Sequence, residues 1–277
     1  GPGQLWEAVG AEFEKMGGKI LYNHKVTDID ISEGRVNSGR CGDETVDGDI
    51  FISSMPVKDL VSGMGSTVPD APAQIAEGLP YRDFVTVGLL LNKLNLKNET
   101  DIRTLGNIVP DCWIYVQDTG VKLGRIQIFN NWSPYLVKDP QNTVWIGLEY
   151  FCNEGDELWE MSDKDFIDFA IAELAKIDVI DPADVKDATR IKVKKAYPAY
   201  FDTYAEFDTV KDYLSGIDNL WCLGRNGQHR YNNMDHSMLT AVEAVRSIAN
   251  GTRDKATVWA VNTEKEYHEE KTEGESK

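Results

Sequence analysis

The amino-acid sequence predicts a mixed α/β fold. Several segments place apolar residues at the three- and four-residue spacing of an amphipathic helix. The central region instead contains short runs of β-branched and aromatic residues, which are typical of strands. Of the 277 residues, 42% are hydrophobic and 27% are charged, so the chain can bury a substantial core. This length favours one large or two modest domains.

Helical spacing occurs near both ends of the sequence and in its second half. The predicted helices cover residues 4–16, 162–177, 209–214 and 235–249. Ser162 and Asp165 resemble a capping box at the start of the second of these helices. The side chains predicted to face the core are Leu5, Val9, Phe13 and Met16 in the first helix, Phe166, Phe169, Ala170, Leu174 and Ile177 in the second, and Met238, Leu239, Val242, Val245 and Ile248 in the last.

Strand patterns fill most of the remaining sequence. The predicted strands cover residues 19–23, 26–31, a run near Val36, 49–53, 84–91, 112–116, 125–129, 143–151, 188–196 and 219–223. Glu33-Gly34 is predicted to form a turn, and Met55-Pro56 is predicted to end the strand over 49–53. The runs between 84 and 151 follow one another at moderate spacing, so we expect them to form a largely antiparallel sheet.

Charge and composition exclude several classes of function. The net charge is −17 and the isoelectric point is near 4.6, so the surface should repel nucleic acid. No apolar run approaches the ~18 residues of a membrane span, and no signal peptide leads the sequence. From Glu264 onward the sequence is rich in Glu and Lys, and we expect a frayed or disordered tail.

Cysteine and histidine spacing gives no sign of a metal site. The four cysteines have no CxxC pair and are predicted to be buried free thiols in a reducing, cytoplasmic compartment. They are Cys41, Cys112, Cys152 and Cys222. His24, His229, His236 and His268 lack zinc-ligand spacing with those cysteines.

The segment from Asn219 to Ile248 carries the strongest functional signal. It is predicted to be a buried strand, a loop over residues 224–233, which we call the polar loop, and a helix beginning near Met234-Asp235. Gly224 and Gly227 allow close backbone approach to a ligand. The free N–H groups at the helix start could hold an anion or a carbonyl. The spacing fits equally well a plain strand-to-helix turn in which Asp235 caps the helix.

The sequence LGRNGQHRYNNMDHSM, residues 223–238, resembles the last strand, loop and helix of the flavin amine oxidase superfamily. This group includes protoporphyrinogen oxidases, phytoene desaturases and UDP-galactopyranose mutases. The resemblance implies that Gly224 and Arg225 approach the FAD phosphates or ribityl chain. It also implies that Asn233, Met234 and Asp235 approach the isoalloxazine. Gly-Arg stands where Gly-Asp or Gly-Glu is commoner, as we expect in a branch resembling galactopyranose mutases.

A second block near the start of the sequence resembles the same superfamily. By this resemblance, Val26 corresponds to a valine whose backbone faces the adenine. The segment Ser53-Ser54-Met55-Pro56 corresponds to a turn that ends a later strand. The resemblance implies a partial FAD-binding, Rossmann-like lobe from residues 1–56 and 205–251. It further implies an antiparallel-sheet substrate lobe from residues 57–204, followed by a C-terminal extension over 252–277. Tyr197, Tyr200, His229 and Tyr231 are candidate substrate residues, although aromatic packing or an exposed loop histidine explains them equally well.

The superfamily opens with a strand and a G-x-G-x-x-G turn, and this sequence has neither. We therefore expect an N-terminal FAD-binding segment as a missing partner, and no tightly bound FAD in this chain alone. The expected activity of the complete protein is hydride transfer from a small-molecule substrate to FAD. One alternative is a redox-neutral sugar-nucleotide mutase. Another is a folded half-protein that is inert without its N-terminal segment.

Overall fold

The computed structural model describes residues 1–262 and divides the chain into two compact units. The first unit contains Gly1–Ile20 and Arg82–Ala196, and the second contains Leu21–Tyr81 and the chain from Tyr197 onward. Helices, antiparallel sheets and a parallel sheet are all present, so the predicted mixed α/β class is confirmed. The tail predicted from Glu264 and the histidine at 268 lie outside the described residues.

The helices and strands alternate irregularly along the chain. The helices are α1 Pro2–Lys15, α2 Val57–Met64, α3 Asp70–Gly78, α4 Phe129–Trp132, α5 Glu157–Glu160, α6 Asp163–Lys176, α7 Phe207–Gly216, α8 Gly224–Gly227, α9 Met234–Ala249 and α10 Ala256–Trp259. The strands are β1 Asp28–Ser32, β2 Arg35–Cys41, β3 Glu44–Asp47, β4 Phe51–Ser53, β5 Tyr81–Leu91, β6 Trp113–Tyr115, β7 Arg125–Ile128, β8 Val144–Cys152, β9 Val185–Pro198 and β10 Leu220–Cys222.

The first unit is built on a five-stranded sheet with the order β6-β7-β8-β5-β9. The pairs β6–β7, β7–β8 and β8–β5 are antiparallel, as predicted for the runs between 84 and 151. Alternate residues of β5, from Val85 to Leu91, are fully buried against α6 and the neighbouring strands. Helix α6 buries Phe166, Ala170 and Leu174, and the Ser162 hydroxyl accepts a hydrogen bond from the Asp165 N–H. The Ser162 hydroxyl also donates to Asp165 Oδ2, so the predicted cap at Ser162 and most of the predicted stripe are confirmed.

The second unit contains two small sheets. Strands β1, β2 and β3 form an antiparallel sheet, and Glu33 and Gly34 make the predicted turn with positive φ angles of 51° and 74°. Strands β10 and β4 form a parallel two-stranded sheet. A core lies among the helices α2, α3 and α7, and a smaller cluster joins β10 to α9 and α10.

Several details of the predicted elements are wrong. Residues 19–23 are not a strand, because the chain turns there and Asn23 adopts a φ of 61°. The sequence pattern does not predict helices α2 and α3, because the apolar runs between Val57 and Gly78 are short and are interrupted by Gly and Pro. The contact-defined units also differ from the predicted lobe boundaries. Residues 1–20 group with the first unit, and residues 57–81 group with the second.

The predicted inward faces of the first and last helices are wrong as well. Helix α1 has no buried residue, and its Leu5, Val9, Phe13 and Met16 are 46–80% exposed. Helix α9 buries Thr240, Ala244 and Ser247 instead of the predicted stripe. Both helices contain the periodic apolar residues, but the described chain does not bury most of them.

Candidate functional site

The polar loop leaves β10 through two glycines whose positions demand glycine. Gly224 has a φ of +69°, and its N–H donates a hydrogen bond of 3.0 Å to the Thr240 hydroxyl. A Cβ on Gly227 would lie 2.7 Å from the Ser53 carbonyl oxygen. The loop therefore packs directly against the turn after β4, and Met55 lies half-buried beside the core at that turn.

Arg225 is held in place by the loop itself. Its Nε donates a hydrogen bond of 2.9 Å to the Asn232 carbonyl, and its Nη2 lies 3.4 Å from Asn233 Oδ1. The guanidinium carbon lies 4.5 Å from the Tyr231 ring centre and 5.3 Å from that of Tyr197. These two rings stack on each other, 5.8 Å apart. The structure thus brings together three of the predicted residues in one half-buried cluster with a fixed cation.

His229 is completely buried beneath the loop, so its side chain is not an exposed loop histidine. Its Nε2 lies 3.1 Å from the Ala199 carbonyl, which can only accept, so Nε2 carries the proton. Nδ1 has no partner among the described residues. The rings of Tyr81, Tyr204 and Phe207 lie 4.7–5.9 Å from the imidazole. Burial lowers the pKa of His229 from 6.5 to about 4, so the ring is neutral at physiological pH.

Further hydrogen bonds connect the loop to neighbouring segments of the second unit. The Tyr231 N–H donates to the Tyr200 hydroxyl, and the Tyr200 ring stacks on Tyr204 at 4.5 Å. The Asn232 amide donates to Gln228 Oε1, and the Asn262 amide donates to Asn232 Oδ1. These amides are buried, so the loop is a fixed structure and not a solvated connector.

The start of α9 remains open to ligands. Asn233 is the N-cap, but its side chain makes no hydrogen bond to the first turn and instead meets Arg225. Asn233, Met234 and Asp235 are exposed, and Asp235 therefore does not fill the cap position that the alternative interpretation assigned to it. The first-turn N–H groups of a helix have no intrahelical acceptor, and together with the positive end of the helix dipole they can bind an oxygen-rich group.

Val26 lies apart from this cluster. It precedes β1, is half-buried, and lies close enough to Gly39 that a Cβ there would meet it at 3.5 Å. The adjacent Thr27 N–H donates to the Arg40 carbonyl, and the Thr27 carbonyl oxygen lies against Gly63 of α2. The described contacts of Val26 are therefore with the three-stranded sheet.

The first unit contains a polar cluster that the sequence pattern did not predict as a site. Arg125 and Glu149 are 3% and 4% exposed and form an ion pair of 3.2 Å, and Gln127 also donates to Glu149. The Arg125 guanidinium lies 4.9–5.5 Å from the centres of three rings, those of Trp113, Tyr115 and Phe151. All these residues lie on the sheet face opposite to the core. The polar–apolar alternation within the runs 125–129 and 143–151 carries this signal.

Among residues 1–262, no three His, Cys, Asp or Glu side chains come together as metal ligands. The cysteines are unpaired, with Cys152 and Cys222 buried and Cys41 and Cys112 half-buried. Within the same range, no helix has the length and apolar character that crossing a bilayer requires.

Comparison with known proteins shows similarity in structure but not in sequence. No protein-family model and no curated protein matches the sequence. A reduced UDP-galactopyranose mutase has a similar structure, with a TM-score of 0.74 and 19% identity over 92% of this chain and 52% of that protein. A putative protoporphyrinogen oxidase from Exiguobacterium sp. 255-15 gives a TM-score of 0.60 and 14% identity over 82% and 46%. A cyclohexylamine oxidase from Brevibacterium oxydans gives a TM-score of 0.54 and 11% identity, over 83% of this chain and 49% of that protein.

These similarities establish a shared fold with a mutase and two oxidases. The chain spans about half the length of each of these proteins. The predicted mixed α/β fold class agrees with this shared fold.

Proposed function

We propose that this chain is the carboxyl-terminal part of an FAD-dependent enzyme, and that the polar loop and the start of α9 contact the cofactor. The observation that supports this most is one arrangement in the second unit. A buried strand leads into Gly224 at positive φ, then into the fixed Arg225, and then into a helix whose first turn is open. The shared fold with a mutase and two oxidases supports the same conclusion.

The residues present fit one side of a cofactor that carries phosphate and carbonyl oxygens. The α9 N–H groups and the Arg225 guanidinium are donors, and Gly227 allows the loop backbone to lie flat against Ser53. Within our proposal, Gly224 and Arg225 lie near the phosphates or ribityl chain, and Asn233, Met234 and Asp235 near the ring system. Met55 and Val26 are proposed to lie on the nucleotide side.

The proposed reaction is hydride transfer from a small-molecule substrate to FAD. Bound FAD would supply the redox chemistry, and this chain would bind, orient and exclude water. Tyr197 and Tyr231 are proposed to line the substrate cavity, with Tyr200 holding the Tyr231 backbone. His229 has no exposed atom, so we assign it the role of holding the loop against Ala199.

A redox-neutral sugar-nucleotide mutase is the second candidate. The Arg225 cluster favours it, because a guanidinium held against two tyrosine rings can bind diphosphate oxygens bidentately. The two reactions differ in their need for an electron acceptor. Isomerisation of a UDP-sugar by pre-reduced enzyme, with no acceptor added, would select the mutase. Substrate-dependent reduction of an acceptor dye would select the oxidoreductase.

Both candidates require the segment that we propose to precede Gly1, and the chain alone is proposed to be inert. We call this chain joined to that segment the extended polypeptide. In it, residues 1–56 and 205–251 are proposed to belong to the FAD-binding lobe, and 57–204 to the substrate lobe. The remaining residues, 252–277, are proposed to be an extension.

The placement of α9 can be tested by potentiometry on the FAD-loaded extended polypeptide. Asp235→Lys should raise the flavin reduction potential by tens of millivolts, because a positive charge in place of a negative one would stabilise the reduced flavin. For a two-electron couple, about 30 mV corresponds to about 1.4 kcal/mol. Asp212→Lys, on the exposed face of α7 in the same unit, is the matched control and should shift the potential very little. Equal shifts at the two positions would mean that α9 does not point at the flavin.

A further inference from the structure

The chain that follows α9 folds back over the polar loop. Residues 252–262, which we call the strap, include the short helix α10. Lys255 is 5% exposed, and its ammonium donates hydrogen bonds to the Ser215 and Ile217 carbonyls at the end of α7. Val258 is buried in one apolar cluster with residues of β10 and α9. The strap is therefore fixed to the second unit by groups that lie outside the polar loop.

The strap contacts the polar loop through two side-chain amides. Gln228 of the loop donates from Nε2 to the Val258 carbonyl at 3.0 Å. Asn262 of the strap donates from Nδ2 to the Tyr231 carbonyl at 3.1 Å and to Asn232 Oδ1 at 3.0 Å. Between these two contacts, the Asn232 amide donates to Gln228 Oε1 at 3.1 Å. The three amide side chains belong to residues that are 1–6% exposed, so water competes little for these bonds.

Two backbone carbonyls decide the orientation of all three amides. A carbonyl oxygen can only accept, so the Val258 carbonyl requires the nitrogen of Gln228 and leaves Oε1 to face Asn232. The Tyr231 carbonyl likewise requires the nitrogen of Asn262. Asn232 must then present its nitrogen to Gln228 and its oxygen to Asn262. One orientation of each amide satisfies these partners, so the network specifies one arrangement of the loop.

Asn232 connects this network to Arg225. Its side chain is held by Gln228 and Asn262, and its main-chain carbonyl accepts the 2.9 Å hydrogen bond from Arg225 Nε. The neighbouring Tyr231 carbonyl is held by Asn262, and the centre of the Tyr231 ring lies 4.5 Å from the guanidinium carbon. The strap therefore bonds directly to two residues that hold the guanidinium.

We propose that the strap positions the ligand-binding groups of the polar loop, and that Asn262 is the positioning residue. Through Asn232 and Tyr231, Asn262 fixes the direction in which Arg225 presents its remaining N–H groups. A guanidinium binds phosphate oxygens bidentately only when its planar fork is aligned with them, so a loosely held Arg225 would bind less tightly. This inference rests on the proposed function, which supplies the ligand.

Two variants of the strap separate positioning from stability. Asn262→Asp keeps the size of the side chain but replaces its donors with acceptors, which then face the Tyr231 and Asn232 oxygens. Arg253→Ala is the matched control, because Arg253 lies in the same strap and pairs with Asp218, outside the polar loop. Asn262→Ala removes the donors without adding a charge, and should act in the same direction if Asn262→Asp folds poorly.

The first measurement needs no cofactor. Hydrogen exchange of the Arg225 Nε–H, followed by NMR in the chain alone, reports how firmly its bond to the Asn232 carbonyl is held. We expect Asn262→Asp to speed this exchange by roughly tenfold, because buried acceptors lose their donors. Arg253→Ala should speed it by about twofold or less. Urea unfolding of the same samples shows whether the exchange follows global stability instead.

The second measurement is a titration of the extended polypeptide with FAD, followed by flavin absorption. Asn262→Asp should weaken FAD binding by roughly three- to tenfold, and Arg253→Ala should leave it unchanged. Because Asn262 acts through Arg225, the two effects should not add. In an Arg225→Ala background, Asn262→Asp should therefore change FAD affinity by less than about twofold.

Unchanged Arg225 exchange in Asn262→Asp, or an equal increase in Arg253→Ala, would overturn the proposal, because the strap would then contribute only stability. FAD affinity that is unaffected by Asn262→Asp would also overturn it, as would an equal loss of affinity with and without Arg225. An extended polypeptide that binds no FAD in any variant would refute the proposed function. In that case the exchange of the Arg225 Nε–H alone decides whether the strap positions the loop.

Discussion

The two units differ in how completely they cover their own apolar residues. In the first unit, α6 packs Phe166, Ala170 and Leu174 into a core under a five-stranded sheet. In the second, α9 has a comparable periodic stripe, yet Met238 and Val242 are 45% and 43% exposed beside a two-stranded sheet. The same sequence pattern thus gives a buried face in one unit and an open face in the other.

The difference follows from the two kinds of sheet. Antiparallel strands can be joined by short connections, as β6 and β7 and then β7 and β8 are, so these sheet neighbours are also close in sequence. A parallel pair depends on neighbours that are distant in sequence, and β4 and β10 are separated by more than 160 residues. The coverage of a unit built on parallel strands therefore depends on segments that are distant in sequence.

The largest expected effect contrasts the two stripes directly. Phe166→Ala should cost about 3–5 kcal/mol of unfolding free energy, because a fully buried ring is removed. Val242→Ala in this chain should cost less than about 0.5 kcal/mol, since the side chain is already half-exposed. Urea unfolding of the two variants measures both values. Similar costs would mean that α9 is covered in solution and that the contrast between the units is wrong.

The sequence predicted this contrast only in part. Strands β5, β7 and β8, the capping box at Ser162 and the mixed class followed from local pattern, because local pattern decides those features. The exposure of the α9 stripe could not be predicted, since periodicity shows that a face is apolar but not what covers it. Likewise, the polar loop was found from its composition, but the burial of His229 depends on Tyr81 and Phe207, which are distant in sequence.

The second expected effect is a loss of folding stability on acidification through His229, which lies in the second unit. The pKa of His229 falls from 6.5 to about 4 on folding, because burial disfavours the charged ring. The unfolded chain therefore binds more protons between these values, and stability present above pH 6.5 is lost as the pH falls toward 4. The full loss is about 3 kcal/mol, at about 1.36 kcal/mol per pKa unit.

Hydrogen exchange, corrected for its intrinsic pH dependence, localises this loss. Segments around α7 and the polar loop should lose protection at pH 4.5, while β5 and β8 keep it. His229→Phe should flatten the pH dependence in the second unit. If the loss of protection at low pH persists in His229→Phe, groups other than His229 cause it.

A smaller effect concerns Arg225, which links the loop to Tyr197 and Tyr231. Arg225→Ala should cost about 1 kcal/mol in this chain, from lost ring contacts and the bond to the Asn232 carbonyl. In the extended polypeptide it should also weaken flavin or substrate-phosphate binding, measured by titration. Arg225→Lys keeps the charge but not the planar fork, and should restore only part of that affinity. Unchanged affinity with lowered stability would make Arg225 a purely structural residue.

The central claim is that the second unit is one part of a flavin site and needs the segment that completes it. The most direct measurement is the visible absorption spectrum of the purified chain and of the extended polypeptide, each after incubation with FAD and gel filtration. We predict that the chain elutes without flavin and that the extended polypeptide elutes with the bands of oxidised flavin. Flavin retained by the chain alone, or by neither polypeptide, would contradict the account.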